Sequence, residues 1–333
     1  MLALPKKWVK EMELSSGDEV TVKINEESAL NISPLKKNKN NKKEEATIET
    51  SLTDNDGNIV RKLISTYVLG YNIINIKAKE GKLSSKQRDT IKIIVRGSLI
   101  GAEVISDSLD MITIQVLISF TELNVENAIK RMFLIANSMQ KDSIESLNKL
   151  DKDAAKGVIK SDDEVDRFSL YIIRQLKMAI ENKQILKEIG LEKTIDCLAY
   201  RLIVKSIERI ADHSSRIAKG VLLIQKPLNK EILEEINKMN EFAIKLVEES
   251  ALSLYKRQYK NADSIVDKAK SIEEMKQNIL DEVKIKELDK VQVISLILED
   301  IQRIAEYSSD VAEMVLNITA EKVILKNPKR SLD

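Results

Sequence analysis

"ERIADHSSRIA" occupies residues 208–218, and "QRIAEYSSDVA" occupies 302–312. Six of the eleven positions are identical, and Asp212/Glu306, His213/Tyr307 and Ile217/Val311 are close exchanges. A packing helix needs only its apolar stripe, so a repeated Ser-Ser phrase flanked by acids asks for a further reason. Around the two copies, the chain has helical periodicity from about 122 to 320, in segments near 124–150, 161–187, 193–222, 229–257, 259–283 and 288–320. The breaks "LDKDAAKG", "EIGLEK", "QKPLN", "YKNAD" and "DEVKIKELD" are short, which places long amphipathic neighbours antiparallel. The last three segments echo the first three. The expectation is a mainly α chain built on a duplicated three-helix bundle of six helices, with halves at 122–225 and 226–322.

The N-terminal third reads differently. "ALPKKWVKEMEL" is an extended entry and a short amphipathic helix, "SSGDEV" is a turn, and "VTVKI" and "ALNIS" are brief strands, giving a small unit over 1–35. The lysine-rich run "PLKKNKNNKKEEA" has no apolar residue between Leu35 and Ala46, so 36–52 reads as a charged linker. Residues 53–121 form an α/β module. In it "NIVRKLISTYVLGY" is a helix, "NIINIKA" a strand, "SSKQ" a capping box opening a helix, and "AEVISDSLDMITIQVLI" two strands about a turn.

Composition excludes several classes. The 54 basic residues against 53 acidic ones leave no bulk charge for a nucleic-acid polymer. The single cysteine, Cys197, makes no internal disulfide and fits a reducing cytoplasm. No segment has the roughly 18 uninterrupted apolar residues of a membrane span, and the N-terminus lacks a signal-peptide pattern. There is no Ser-His-Asp set, Walker-type glycine loop or Cys-x-x-Cys pair. The chain reads as non-enzymatic.

The acids carry the chemistry. "DDEVDR" (162–167) is expected to begin the second helix and "DSIVDK" (263–268) the fifth, each with an Asp-x-x-x-Asp pair: Asp162 with Asp166, and Asp263 with Asp267. The third helix carries Glu208 and Asp212 at the same spacing. The sixth carries Glu306 and Asp310 one turn later, because Gln302 stands where the first copy has glutamate. A spacing of four stacks two side chains on one helix face. Singly, such acids are a solvated surface, or complements to a helix N-terminus. Gathered from paired helices, four carboxylates repel and call for protonation, splaying or a bound cation. An all-oxygen set suits hard ions such as Mg, Mn, Ca or ferric iron. Arg209 and Arg303 are the competing counter-charges. His213, the only histidine, is expected to be solvated or packed on a helix flank.

These residues, "ERIADHSSRIA" after "DDEVDR" and "QRIAEYSSDVA" after "DSIVDK", resemble the PhoU family of phosphate-uptake regulators over about 122–320. The N-terminal "LPK-helix-GDEV-strand" run resembles the second half of a SpoVT/AbrB-type swapped-hairpin domain, and the whole arrangement is similar to archaeal PhoU-like proteins. The resemblance implies a cytoplasmic negative regulator acting on a phosphate ABC transporter ATPase subunit or a phosphate-sensing kinase. It also implies metal ions, iron or another divalent ion, held by Asp162, Asp166, Glu208 and Asp212 in one half and by Asp263, Asp267, Glu306 and Asp310 in the other. The AbrB-like part implies a homodimer and, as the alternative function, DNA binding. Residues 1–33 hold four lysines against six acids, a poor balance for phosphate contact.

Overall fold

The computed structural model describes residues 3–24, 29–34, 45–117 and 123–324. The chain divides into two compact units at Glu44/Glu45. In the first, helix α1 (Lys6–Glu11) precedes an antiparallel pair, β1 (Val20–Ile24) and β2 (Leu30–Pro34), in the register Val22↔Ile32. The expected linker falls in two parts. Residues 36–44 lie outside the described residues, and β3 (Glu45–Thr50) is a strand. The alternation in "EATIET" turns Ile48 toward an apolar core and Glu45, Thr47 and Glu49 away from it. The module therefore begins at 45, not 53, because the lysine run masks a strand signal at its end.

Module elements are β3, α2 (Asp56–Val68), β4 (Ile73–Ala78), α3 (Ser85–Ser98), β5 (Ala102–Asp107) and β6 (Met111–Val116). The sheet order is β3-β4-β6-β5, with β3 parallel to β4 and the other pairs antiparallel. The two parallel strands need a crossover, and α2 supplies it. The predicted capping box is present: Gln87 N donates to Ser84 Oγ at 3.1 Å, and Ser84 N to Gln87 Oε1 at 3.0 Å. Ile74, Ile76, Ile112 and Ile114 form the inner sheet face beneath Ile59, Leu63, Ile91 and Val95 of the helices.

The rest is helical: α4 (Val125–Lys149), α5 (Lys152–Glu181), α6 (Lys183–Glu188), α7 (Asp196–Leu223), α8 (Lys230–Lys256), α9 (Tyr259–Ala269), α10 (Ile272–Lys286) and α11 (Val291–Thr319). One continuous apolar core runs through both halves. Two expected boundaries move. The second helix starts at Lys152, not near 161, because the α4–α5 turn needs only Leu150 in the left-handed region (φ 51°) and Asp151 as cap, accepting from Asp153 N and Ala154 N. Asp162 is thus about three turns inside α5, not in a first turn. The fifth helix is two helices, interrupted at Lys270–Ser271.

The duplication is visible in a turn the opening phrase does not include. At the end of α4, Ser143 and Ser146 bond back to carbonyls three residues earlier, Leu150 turns left-handed, and Asp151 N donates to Ser146 O at 2.9 Å. At the end of α8, Ser250, Ser253, Arg257 (φ 48°) and Gln258 repeat every contact. These positions are 107 residues apart, whereas the 208 and 302 phrases are 94 apart. Most of the difference is α6 and its loops, since fourteen residues (182–195) join α5 to α7 while four (287–290) join α10 to α11.

The module sits on α5. Arg174, 1 % exposed, sends Nη1 to Tyr67 O at 2.5 Å, and Nη2 to Gly70 O at 3.0 Å and Asn72 Oδ1 at 2.9 Å. Its guanidinium also lies 5.0 Å from the Tyr67 ring centroid. These acceptors lie at and beyond the C-terminal end of α2, where the carbonyls carry partial negative charge. Gly70 is at φ +101°, and a Cβ there would meet Met178 Cγ at 3.0 Å, so glycine is required both by the turn and by the contact.

Candidate functional site

Helices α5 and α7 run antiparallel and bring their acids face to face. Asp166 feels Glu208, Asp162 and Asp212; Asp162 feels Asp212; Asp212 feels Glu208. All four acids assigned to the first half therefore share one flank. Burial, with Asp212 second, pushes the Asp162 carboxyl up to about 6, while the Ser215 hydroxyl and Lys219 oppose the rise. Burial, with Glu208 second, pushes Asp166 up to about 7, and Asp212 rises for the same two reasons. Asp162 is half-buried, and Asp166 keeps an exposed outer side. Glu208 is the anchored member, accepting from Ser169 Oγ at 2.9 Å and from Lys205 Nζ at 2.5 Å. Among the described residues no group of three or more His, Cys, Asp or Glu side chains is gathered closely enough to hold a metal ion. The four repel across a shared flank without converging. Their donor set, oxygen only with excess negative charge, has the chemistry that a hard cation requires.

The raised carboxyls have a measurable consequence. In the unfolded chain these aspartates lose their protons near 3.8; folded, they keep them to about 6 and 7. The folded chain binds more protons across that window, so stability falls as pH rises through it; the cost is absent below the unfolded value and full above the folded one. Asp166→Asn is expected to raise stability at pH 7.5 by on the order of 1 kcal/mol, after allowance for its solvent screening, and to flatten the decline from pH 5. Urea unfolding at the two pH values measures both.

The second half is built otherwise. Asp263 and Asp267 are exposed on α9, and Asp267 pairs with Lys270 at 2.8 Å. The charges acting on Asp310 are Glu313, Arg209 and Glu306; burial, the largest effect, raises its carboxyl. Neither α9 aspartate is among them. Glu306 joins Arg303 Nη1 at 2.7 Å and Gln302 Nε2 at 2.7 Å. From the neighbouring helix Gln302 Nε2 donates to Glu273 of α10, at 2.5 Å. Glu273 is 107 residues after Asp166, and Gln302 is 94 after Glu208. The spatial counterparts of Asp162, Asp166, Glu208 and Asp212 are therefore Ala269, Glu273, Gln302 and Glu306. Lys276, at the place of Ser169, pairs with Glu273 at 3.4 Å and Glu299 at 3.2 Å. Sequence reading missed Glu273. The "SIESLNK" and "SALSLYK" echo, 143–149 and 250–256, is the signal that sets its register.

The two phrases meet. α7 and α11 pack together, and the close approach is marked at Gly220, whose added Cβ would meet Ile297 Cγ1 at 3.1 Å. His213 is buried, not solvated: Nδ1 lies 2.7 Å from Asp300 Oδ1, and the ring stands 5.5 Å from that of Tyr307. Arg216 Nε reaches the same Asp300 oxygen at 3.2 Å. His213 therefore joins the halves on a helix flank, a role suited to its place beside a close helix–helix contact.

A duplicated bundle of three-helix halves, with acids on an inter-helix flank and an α/β module on one helix, defines the class of protein. Comparison with known proteins places it more narrowly. The PhoU domain signature matches residues 129–221. The phosphate-specific transport system accessory protein PhoU homolog 1 of Thermotoga maritima is 29% identical over 202 residues, covering 58% of this chain and 84% of that protein. The PhoU homolog of Clostridium acetobutylicum is 24% identical over 206 residues, 58% of this chain and 90% of that one. Two crystal structures share the fold. PhoU from Pseudomonas aeruginosa has a TM-score of 0.54 at 18% identity, covering 59% of this chain and 96% of that one. The phosphate transport system regulatory protein PhoU from Streptococcus pneumoniae has a TM-score of 0.52 at 18% identity, covering 61% and 96%. The domain match and the relatives make the helical part of this chain similar to PhoU proteins. No helix among the described residues is long and apolar enough to cross a membrane.

Proposed function

We propose that this chain is a non-enzymatic, cytoplasmic accessory regulator of phosphate transport, and that its first half binds a hard metal ion through Asp162, Asp166, Glu208 and Asp212. It acts by docking on a phosphate transporter ATPase subunit or a phosphate-sensing kinase. The observation behind the metal assignment is the contrast between the halves. The first has four carboxylates on one flank with Lys205 and Lys219 nearby. At the corresponding place the second has two carboxylates, a glutamine and an alanine, with Lys276 and Arg303 as counter-charges. Unlike the expectation from sequence, the reading is one metal site rather than two. Binding calls for Glu208 to exchange Lys205 for the ion, which the exposed side of the flank allows.

Elemental analysis of protein purified without chelator or affinity metal tests this. The wild-type chain is expected to retain iron or another divalent ion. Glu208→Gln with Asp212→Asn is expected to lose it by at least tenfold, and Glu306→Gln with Asp310→Asn to leave it unchanged. Equal metal content in the wild type and the first-half variant would refute the site. Recovery of a transporter ATPase subunit or sensor kinase in a native pull-down tests the regulatory half. A salt-dependent shift of promoter DNA that requires residues 1–46 would favour the DNA-binding alternative instead.

A further inference from the structure

The duplication gives the seam between α4 and α8, the first helices of the two halves, two ends that correspond residue by residue. At one end Asn148 and Asn237 exchange amide hydrogen bonds at 3.0 and 3.1 Å, and Gln140 Nε2 donates to Oδ1 of the buried Asn240 at 3.0 Å. In the 107-residue register the counterparts of Asn148, Asn237, Gln140 and Asn240 are Tyr255, Lys130, Val247 and Phe133. At that end aromatic contacts stand in for the amide pairs. Lys130 Nζ lies 5.3 Å over the Tyr255 ring, and Phe133 meets Tyr255 edge to face with centroids 6.2 Å apart. Beside them runs an apolar groove of about 330 Å³, whose walls include Leu134, Ala251 and Leu252. Leu134 is 70 % exposed and Leu252 44 %. One copy of the seam is thus closed by amides, while its duplicate presents contiguous apolar surface, the mark of a docking site.

The chain itself leads to this groove. Lys322 Nζ donates to the carbonyl of Arg257 at 3.1 Å, so the last described residues lie on the end of α8, next to Tyr255 in the groove wall. Val323 and Ile324 are exposed there. Residues 325–333, "LKNPKRSLD", follow and lie outside the described residues. At roughly 3.3 Å per residue these can span about 30 Å, against about 15 Å along α8 from Arg257 back to Val247. They carry two leucines, Leu325 and Leu332, and three basic residues, Lys326, Lys329 and Arg330. The groove offers the complement, apolar walls with the half-exposed Glu248 on its rim.

We propose that residues 325–333 fold back along α8 and dock in this groove, with Leu332 against Phe133 and Leu252 and a basic side chain of Lys329 or Arg330 beside Glu248. The segment then straps the first helices of the two halves together and covers their apolar seam. The strap needs neither a metal ion nor a phosphate transporter.

Cysteine pairs in the full chain test the strap, since the native Cys197 is buried. Leu252→Cys with Leu332→Cys is expected to close an intramolecular disulfide on mild oxidation, read by mass and electrophoretic mobility. Glu145→Cys, at the counterpart of Leu252 in the amide-closed end, is expected to react with Leu332→Cys roughly tenfold more slowly, because a docked segment has a low effective concentration there. Deleting 325–333 is expected to leave the helical circular dichroism unchanged and to raise the fluorescence of the apolar dye anilinonaphthalene sulfonate about twofold, and Leu332→Asp to do the same. Equal disulfide rates at 252 and 145 would overturn the strap. So would a disulfide formed only between chains, which would assign the groove to a second copy. Dye fluorescence indifferent to the deletion and to Leu332→Asp would also overturn it, leaving the groove to a separate partner.

Discussion

Arg174→Met is expected to destabilise the chain by about 3–5 kcal/mol, among the largest effects available to a single substitution outside the apolar core. The argument rests on what stays behind. Arg174 is fully buried and satisfies the carbonyls of Tyr67 and Gly70 and the side chain of Asn72. Methionine fills much of the volume but donates nothing, so these acceptors lose their partner inside a dry contact. Each unsatisfied buried group costs about 1–3 kcal/mol. Lysine is not a remedy, because one ammonium cannot reproduce the planar fork that reaches three acceptors. The module also loses its main polar attachment to α5. Urea unfolding is therefore expected to show a second, earlier transition for residues 45–117, alongside faster proteolysis there. A single transition at wild-type denaturant concentration would mean that apolar packing of Leu170 and Ile100 holds the module unaided.

The second large effect is expected at the junction of the halves. His213→Leu removes the hydrogen-bond partner of Asp300, which is 3 % exposed. A carboxylate deprived of a buried partner costs about 3 kcal/mol, and among the described residues Arg216 is left to reach it. Replacing both members, His213→Leu with Asp300→Leu, is expected to recover much of that loss, since two apolar groups leave nothing unsatisfied. Arg216 is half-exposed and can turn to water. A double-mutant cycle by urea unfolding measures the coupling; strictly additive losses would show that the contact contributes only through packing.

Much of this fold could be read from sequence because its elements carry strong local signals. The apolar stripes of α4, α7, α8 and α11 are long, and Ser84 and Gln87 announce the start of α3. β3 was hidden because "EATIET" is six residues joined to a run of lysines. The start of α5 was misplaced because Gly157 and the charges around it look like a loop, while one cap at Asp151 suffices to begin a helix. The first-half acids were legible because the Asp162–Asp166 and Glu208–Asp212 spacings each fix a helix face. The second-half acids were not. Asp263 and Asp267 match the first copy in phrase, but 101 residues separate them from Asp162 and Asp166, a distance that corresponds to neither spatial register. Nor does a sequence show that Asp300, outside both phrases, closes on His213.

The α6 segment sets a second register for the last helix of each half. Thirteen residues separate the two registers of the repeat, and ten of them lie where fourteen residues join α5 to α7 but four join α10 to α11. Each half is thus a copy in which the early helices keep one frame and the last helix another. A residue's meaning depends on which frame it falls in, so similarity of wording between the halves is no guide to similarity of place. Any future exchange of segments between them, by design or by recombination, has to carry the whole α5–α6–α7 connection as one piece, or the acids will arrive facing the wrong neighbour.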